Sequence, residues 1–300
     1  MQAPTPYTFN SPAKLNLFLH ITGVRDDGYH NLQTVFQFLD LQDTLTFENT
    51  DSDGHISLSN NIQGVPEKEN LVYKAAMLLR QHTSCHRGAR ISINKQLPMG
   101  GGLGGGSSNA ATTLVALNQL WDTKLTTQEL EALGLTLGAD IPIFVHGVAA
   151  WAEGVGEQLT PVTIDEPWYL LAIPACHVET AELFRDKQLT RNTKAITMRA
   201  FLDGAGHNDF EPVAKSKFPL INKTLELLNE WGNAKLTGTG ACCFCSVSDK
   251  ETGLKALSNL PEALIRFNLK SDDLKVVLTK GLNGSSLYQS SLLHLKDPLA

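Results

Sequence analysis

Residues 98–108 run Pro98, Met99, Gly100, Gly101, Gly102, Leu103, Gly104, Gly105, Gly106, Ser107, Ser108, which places six glycines in seven positions. Glycine loses more backbone entropy on folding than any other residue, so this density belongs where the chain turns left-handed or approaches a ligand closely. The Ala-rich run that follows, with Leu114, Leu117 and Trp121 on one stripe, predicts a helix. Ser107, Ser108 and Asn109 are helix-capping types, so the glycines are expected to open that helix with one of these as its cap. Free amides at a helix start and the positive end of its dipole attract anions, and a polyphosphate suits a loop of this length. The serine hydroxyls could add donors or face a cation carried on the phosphates.

A flexible Gly/Ser linker is the plain alternative. Its position argues against that, because Ala89 to Lys95 alternates as a strand should and the helix follows at once. The loop ends without the lysine of a Walker A sequence, and Gly100, Gly102 and Gly105 match the dinucleotide pattern only as any glycine-rich run would. A valine at Gly104 is expected to weaken nucleotide binding with the fold intact, because a β-branched side chain resists the backbone such a loop uses.

Two charged residues stand out elsewhere. Ala13 to Ile21 alternates, with Leu15, Leu17, Leu19 and Ile21 on one face and Lys14, Asn16, Phe18 and His20 on the other. Lys14 and Asn16 therefore point the same way, although a lysine on such a face is most often merely solvated. Asp140 precedes Ile141 and Pro142, which read as the first turn of a helix, so it could be no more than an N-cap.

Residues 98–108 resemble the central motif of the GHMP kinases. The likeness extends, in order along the chain, to Ser11–Leu17, Gly28–Tyr29–His30, Leu135–Pro142 and Leu236–Ala241. It is nearest to the branch whose substrate is a cytidine diphosphate-linked polyol. The resemblance implies a two-domain α+β fold with the active site in the interdomain cleft, and ATP with Mg²⁺ as phosphoryl donor. It implies ATP on Pro98 to Ser108, Lys14 and Asp140 beside the hydroxyl to be phosphorylated, and Asn16, Tyr29, His30 and Phe184 around the cytidine, with Tyr29 and Phe184 as the two sides of a sandwich. Which residues meet Mg²⁺ stays open. Homoserine- or mevalonate-kinase-like activity is an alternative that the Gly28–His30 motif and Lys14 speak against. A nucleotide-binding regulator without catalysis is another, opposed by Lys14 and Asp140.

Around these residues the sequence predicts a turn at 24–30, strands at 32–39, 44–47, 56–59 and 149–153, and a helix over 71–81. A capping box, Thr126 to Glu129, opens a further helix. A domain boundary is expected near Pro161, dividing residues 1–160 from 161–300. Beyond it come a buried strand at 168–173 and helices at 180–185, 195–202 and 208–230, the last interrupted at Pro212 and Pro219. Leu236 to Ala241 reads as a glycine turn between strands, and the end from Leu282 to Ala300 partly resembles the family's last strand followed by a short extension.

The chain is 42% hydrophobic and 19% charged with a net charge of −6, so nothing global attracts nucleic acid or anionic membranes. Small-molecule substrates held by local groups are expected. No run approaches the ~20 apolar residues of a membrane span, and no secretory leader pattern opens the sequence, so a cytoplasmic protein is expected. Five cysteines make no disulfide framework. Cys242 and Cys245 form a formal C-x-x-C with no second pair, on a stretch that reads as a strand, so packing is the expected role.

Overall fold

The computed structural model describes residues 6–50, 54–60, 62 and 64–289. Its frame is a hairpin of two long strands, β1 (Tyr7–Val24) and β2 (His30–Thr50). Gly28, at φ 83°, turns the chain between them, and the Asp27 carboxylate accepts the Tyr29 amide at 3.0 Å. The two strands predicted at 32–39 and 44–47 are one. Register shifts at Pro12/Lys14, Asn16/Leu19 and Ile21/Gly23 bend the long pair, and Pro12 has no N–H with which to continue the ladder.

The short β3 (Ile56–Leu58) runs parallel to β4 (Gly88–Asn94), which pairs with the far half of β2. Between them lies α1 (Leu71–Thr83), with Asn70 as its side-chain cap. After β4 come α2 (Gly105–Leu120), α3 (Thr127–Leu135) with both halves of the predicted capping box, and α4 (Ile141–His146). The hairpin of β5 (Ala150–Glu153) and β6 (Gln158–Pro161) then joins the near half of β2.

In the second half, β7 (Trp168–Pro174) is the central strand. Helices α5 (Thr180–Phe184), α6 (Met198–Leu202), α7 (Glu211–Lys217) and α8 (Pro219–Leu228) follow it. The expected break at Pro219 is there, with an extended Phe218 separating α7 from α8, whereas Pro212 interrupts nothing; each proline sits in a first turn, where its missing N–H costs nothing. The hairpin β8 (Lys235–Leu236) and β9 (Cys243–Val247) packs beside β7, then α9 (Lys250–Arg266) leads to β10 (Leu274–Leu282). The expected last strand thus ends at Leu282 rather than beginning there, and residues 290–300 lie outside the described residues. At its end β10 pairs with β2 (Gly281 with Leu39, Leu282 with Phe38), giving the sheet path β3-β4-β2-β10-β7-β9-β8.

Helices α1 to α4 cover one core, which includes Phe9, Phe38, Phe47, Leu79, Leu114 and Phe144. A second core, with Leu170, Phe210, Ile221, Leu225 and Cys243, lies under the helices of the second half. A third joins the two halves, setting Leu15, Phe18, Val35 and Leu39 against Tyr169, Leu171 and Phe244. Burying each such side chain stabilises by about 1.5–3 kcal/mol before entropy is counted. Cys242, Cys243 and Cys245 are buried thiols, and desolvation pushes Cys242 and Cys245 up to about 12, which keeps them protonated. No helix among the described residues is long and apolar enough to cross a membrane.

Candidate active site

Lys14 is not solvated. The strand face that alternation marks as polar is covered, and Lys14 is only 2% exposed. Its ammonium donates to Asn16 Oδ1 at 2.6 Å and to the Gly102 carbonyl at 3.2 Å, and lies 3.4 Å from Asp140 Oδ2. The Phe36 ring lies 5.2 Å from the same nitrogen. A desolvated cation is tolerable only with such partners, and these hold it in one place.

Asp140 occupies the N-cap position of α4, as its sequence context predicts, but its carboxylate caps nothing. Its backbone is already helical (φ −84°, ψ −6°), whereas a capping residue needs an extended backbone to turn its oxygen onto the next amides. The side chain reaches Lys14 instead and stays 42% exposed, facing a cavity.

The glycine loop borders that cavity. Gly100, Gly102 and Gly104 all have φ near +70°, an alternation that makes concave arrays of backbone amides. The cap of α2 is Gly104 itself, with no side-chain hydrogen bond, so the expected Ser107, Ser108 or Asn109 cap is absent. The left-handed turn starts the helix early and puts those three residues inside it. Since the first helical bond runs from Ser108 N to the Gly104 carbonyl, the amides of Gly105, Gly106 and Ser107 have no helical acceptor. Gly102 admits no side chain, because a Cβ would lie 2.3 Å from the Thr237 carbonyl oxygen.

Ser108 is fully buried and accepts from Ser11 at 2.8 Å. Sequence reasoning missed the network behind it. The wholly buried Asp43 accepts the amides of Gln96 and Leu97 at 2.7 and 2.8 Å, the Lys95 ammonium at 2.6 Å and Asn109 Nδ2 at 2.9 Å. One carboxylate thereby ties the strand leading into the glycine loop to the helix leaving it. Its signal was faint, because β2 also carries Asp40 and Glu48 and nothing local sets Asp43 apart from them.

The cavity holds about 1000 Å³. Beyond Lys14 and the glycines, one arm is lined by Ile62, Val65, Leu71 and Lys95, and another by Tyr29, His30, Phe184 and Arg185. Pro98, Met99 and Ser107 line it too, whereas Leu103 is turned into the third core. The Tyr29–Phe184 sandwich expected from the resemblance is not closed. Phe184 rests on His30, with ring centroids 4.8 Å apart, and edge-on against Phe210, while Tyr29 stands 63% exposed at the rim. Burial, with the nearby Arg191 charge second, holds His30 below its ordinary pKa, so the ring is neutral at pH 7.

No group of three or more His, Cys, Asp or Glu that could hold a metal occurs among the described residues. A magnesium ion arriving on nucleotide phosphates needs only one or two protein oxygens, and Asp140 and Ser107 offer such oxygens to the cavity.

The family model described as GHMP kinases N terminal domain matches residues 70–148, and that for GHMP kinases C terminal matches residues 181–266. A 4-diphosphocytidyl-2-C-methyl-D-erythritol kinase from Nitrosococcus oceani is 52% identical over 84% of this chain and 89% of its own. This chain belongs to the 4-diphosphocytidyl-2-C-methyl-D-erythritol kinase family. The family's Pseudomonas aeruginosa kinase is 50% identical over 90% of this chain and 95% of its own. Among solved structures, a 4-(cytidine 5'-diphospho)-2C-methyl-D-erythritol kinase superposes with a TM-score of 0.78 at 28% identity, covering 92% of this chain and all of that one. A homoserine kinase from Cytophaga hutchinsonii, at TM-score 0.68 and 15% identity over 95% of this chain and 98% of its own, shares the fold. The kinase family thus has the two-domain α+β architecture expected from the sequence.

Proposed function

We propose that this chain transfers the γ-phosphoryl group of ATP to the 2-hydroxyl of 4-diphosphocytidyl-2-C-methyl-D-erythritol, a step of the non-mevalonate route to isoprenoid precursors. The observation that carries the reading is the Lys14–Asp140 pair, 3.4 Å apart where the glycine loop meets the arm lined by Tyr29, His30 and Phe184. ATP phosphates lie along residues 98–108 on the free amides of Gly105, Gly106 and Ser107, with the base in the arm of Ile62, Val65 and Leu71. The cytidine enters the aromatic arm, where Tyr29 folds in from the rim, neutral His30 bonds the base edge and Asn16 meets the polyol.

The hydroxyl oxygen attacks the γ-phosphorus as the bond to the β–γ bridging oxygen breaks, and its proton passes to the Asp140 carboxylate. The Lys14 ammonium, 3.4 Å from that carboxylate, offsets charge on the phosphoryl oxygens. Mg²⁺, when bound, neutralises phosphate charge, and Asp140 and Ser107 are the side chains placed to meet it. The proposed division into residues 1–160 and 161–300 draws support from the first two cores, each taken mostly from one side of it, with Leu19 and Ile21 of β1 crossing into the second and Leu287 into the first. A cytoplasmic setting goes with dependence on ATP.

ADP release from the purified protein tests the reading. It should require the cytidine-bearing alcohol and be absent with homoserine or mevalonate. Equal turnover of bare methylerythritol phosphate would show that the base is not gripped.

A further inference from the structure

The segment Asn208-Asp209-Phe210-Glu211 plays no part in the chemistry above, yet each of its side chains is tied to an element of the site. Asn208 is 5% exposed and fully bonded. Its amide donates to the carbonyls of Leu236 and Gly238 at 2.9 and 2.8 Å, and its oxygen accepts the Phe210 amide at 2.9 Å. Asp209 accepts the Ile21 amide of β1 at 2.6 Å, Phe210 backs Phe184, and Glu211 accepts the Leu236 amide at 3.1 Å.

The turn that Asn208 grips, residues 236–241, lies against the Lys14 strand on its other side. Thr237, wholly buried, accepts the Asn16 amide on its hydroxyl at 2.9 Å. The Thr237 carbonyl abuts Gly102, whose own carbonyl takes the Lys14 ammonium. Neither Asn208 nor Thr237 lines the cavity. We propose that Asn208 is a positioning residue: by clamping the 236–241 turn through two carbonyls, it makes the Thr237 hydroxyl the stop against which Asn16, and with it Lys14, is set.

The geometry favours this over simple packing. Two donors from one rigid amide fix the turn in both position and orientation, and Lys14 receives its placement from Asn16 and Gly102, both of which the turn touches. A displacement of the turn would move the ammonium relative to Asp140, and misplacement of about 1 Å at reacting groups costs on the order of 100-fold in rate.

The inference rests on the kinase reading, so wild-type turnover is measured first. Asn208→Asp keeps the acceptor for Phe210 but sets an oxygen against two carbonyls. It should lower kcat at least about tenfold at temperatures where the protein is folded, with the KM for ATP within about twofold of wild type. Since Asn208→Asp could fail to fold, Thr237 supplies the second arm. Thr237→Val keeps the volume and loses the hydroxyl, whereas Thr237→Ser keeps the hydroxyl and loses a methyl group. The inference expects kcat to follow the hydroxyl, falling in Thr237→Val and recovering in Thr237→Ser, and expects the two Thr237→Val and Asn208→Asp losses not to multiply in the double variant. Rates that follow the methyl group, or full multiplication, would overturn it. Were the wild type inactive on the cytidine substrate, the kinase reading would fall by itself. The amide NMR signals of Lys14 and Asn16 would still decide the inference, moving in Thr237→Val but not in Thr237→Ser if the stop exists and moving in neither if it does not.

Discussion

At the scale of single residues, the informative contrast is between what Asp140 could have been and what its backbone allows. Because its carboxylate caps nothing, Asp140→Asn should leave the melting temperature of α4 and its surroundings nearly unchanged, apart from the lost charge beside Lys14. The same change removes the proposed proton acceptor, and kcat should fall ~10²–10⁴-fold in steady-state ADP release. Lys14→Met keeps the length of the side chain and should also lower kcat. The double variant should be little worse than the poorer single, since the pair acts as a unit. Near-wild-type turnover in folded Asp140→Asn would leave Lys14 as an electrostatic clamp without a protein base, which the loose transition state of phosphoryl transfer permits. His30 carries a pH prediction. Its folded pKa lies below the ordinary 6.5, through burial first and Arg191 second, and that of His20 does too, through burial and His207 against an opposing pull from Asp209. The unfolded chain therefore binds protons first as pH falls, so the contribution of both rings is intact above pH 6.5 and is lost below it. Melting curves between pH 8 and 5 should show this acid loss, smaller in His30→Gln; an unchanged slope would mean His30 is not desolvated.

At the scale of elements, the glycine loop separates conformational need from ligand approach. Gly104 has φ +72° and its Cβ would lie 2.7 Å from the Phe144 ring, so Gly104→Val meets both backbone strain and a core clash. The expectation that such a variant keeps its fold is corrected by that contact. Left-handed strain of about 1–2 kcal/mol and overpacking of about 1–3 kcal/mol add in one variant, which should be poorly folded. Gly106 is the cleaner probe. It is exposed at the start of α2, and a Cβ there would meet only Leu71 at 3.6 Å. Gly106→Val should fold normally, by circular dichroism and melting, while raising the KM for ATP at least about tenfold, because its branches cover the free amides. Unchanged ATP kinetics would place the phosphates elsewhere.

At the scale of the whole molecule, the third core decides how the halves behave. Leu15, Phe18, Val35 and Leu39 from the first half bury the same surface as Tyr169, Leu171 and Phe244 from the second, and β10 hydrogen-bonds to β2. Separation would expose this core on both sides. Scanning calorimetry should accordingly show one cooperative transition, raised by saturating ATP with Mg²⁺ through linkage. Two well-separated transitions would mean that the shared core adds little. The same packing, which includes Leu97 and Leu103 beside the glycine loop, keeps both arms in one cavity, as the proposed meeting of nucleotide and alcohol over Lys14 requires.

Much of this protein was determined by its sequence alone, because the signals were local. Glycine density ahead of an apolar-striped helix marks a loop that opens that helix, a Thr–Glu spacing of three marks a helix start, and alternation puts Lys14 and Asn16 on one face. Ordered motifs pointed to the family before any coordinates. Tertiary structure alone decided what those residues face. Alternation cannot tell a solvated strand face from a covered one, so burial of Lys14 appeared only when the glycine loop and Asp140 closed over β1. A residue before Ile-Pro has two uses for its carboxylate, and the choice for Asp140 was made by a backbone already helical and an ammonium 126 residues away in sequence. Asp43, Asn208 and Thr237 left almost no signal, since their partners lie on distant strands and turns, and a polar side chain shows its purpose only through the groups it is buried against.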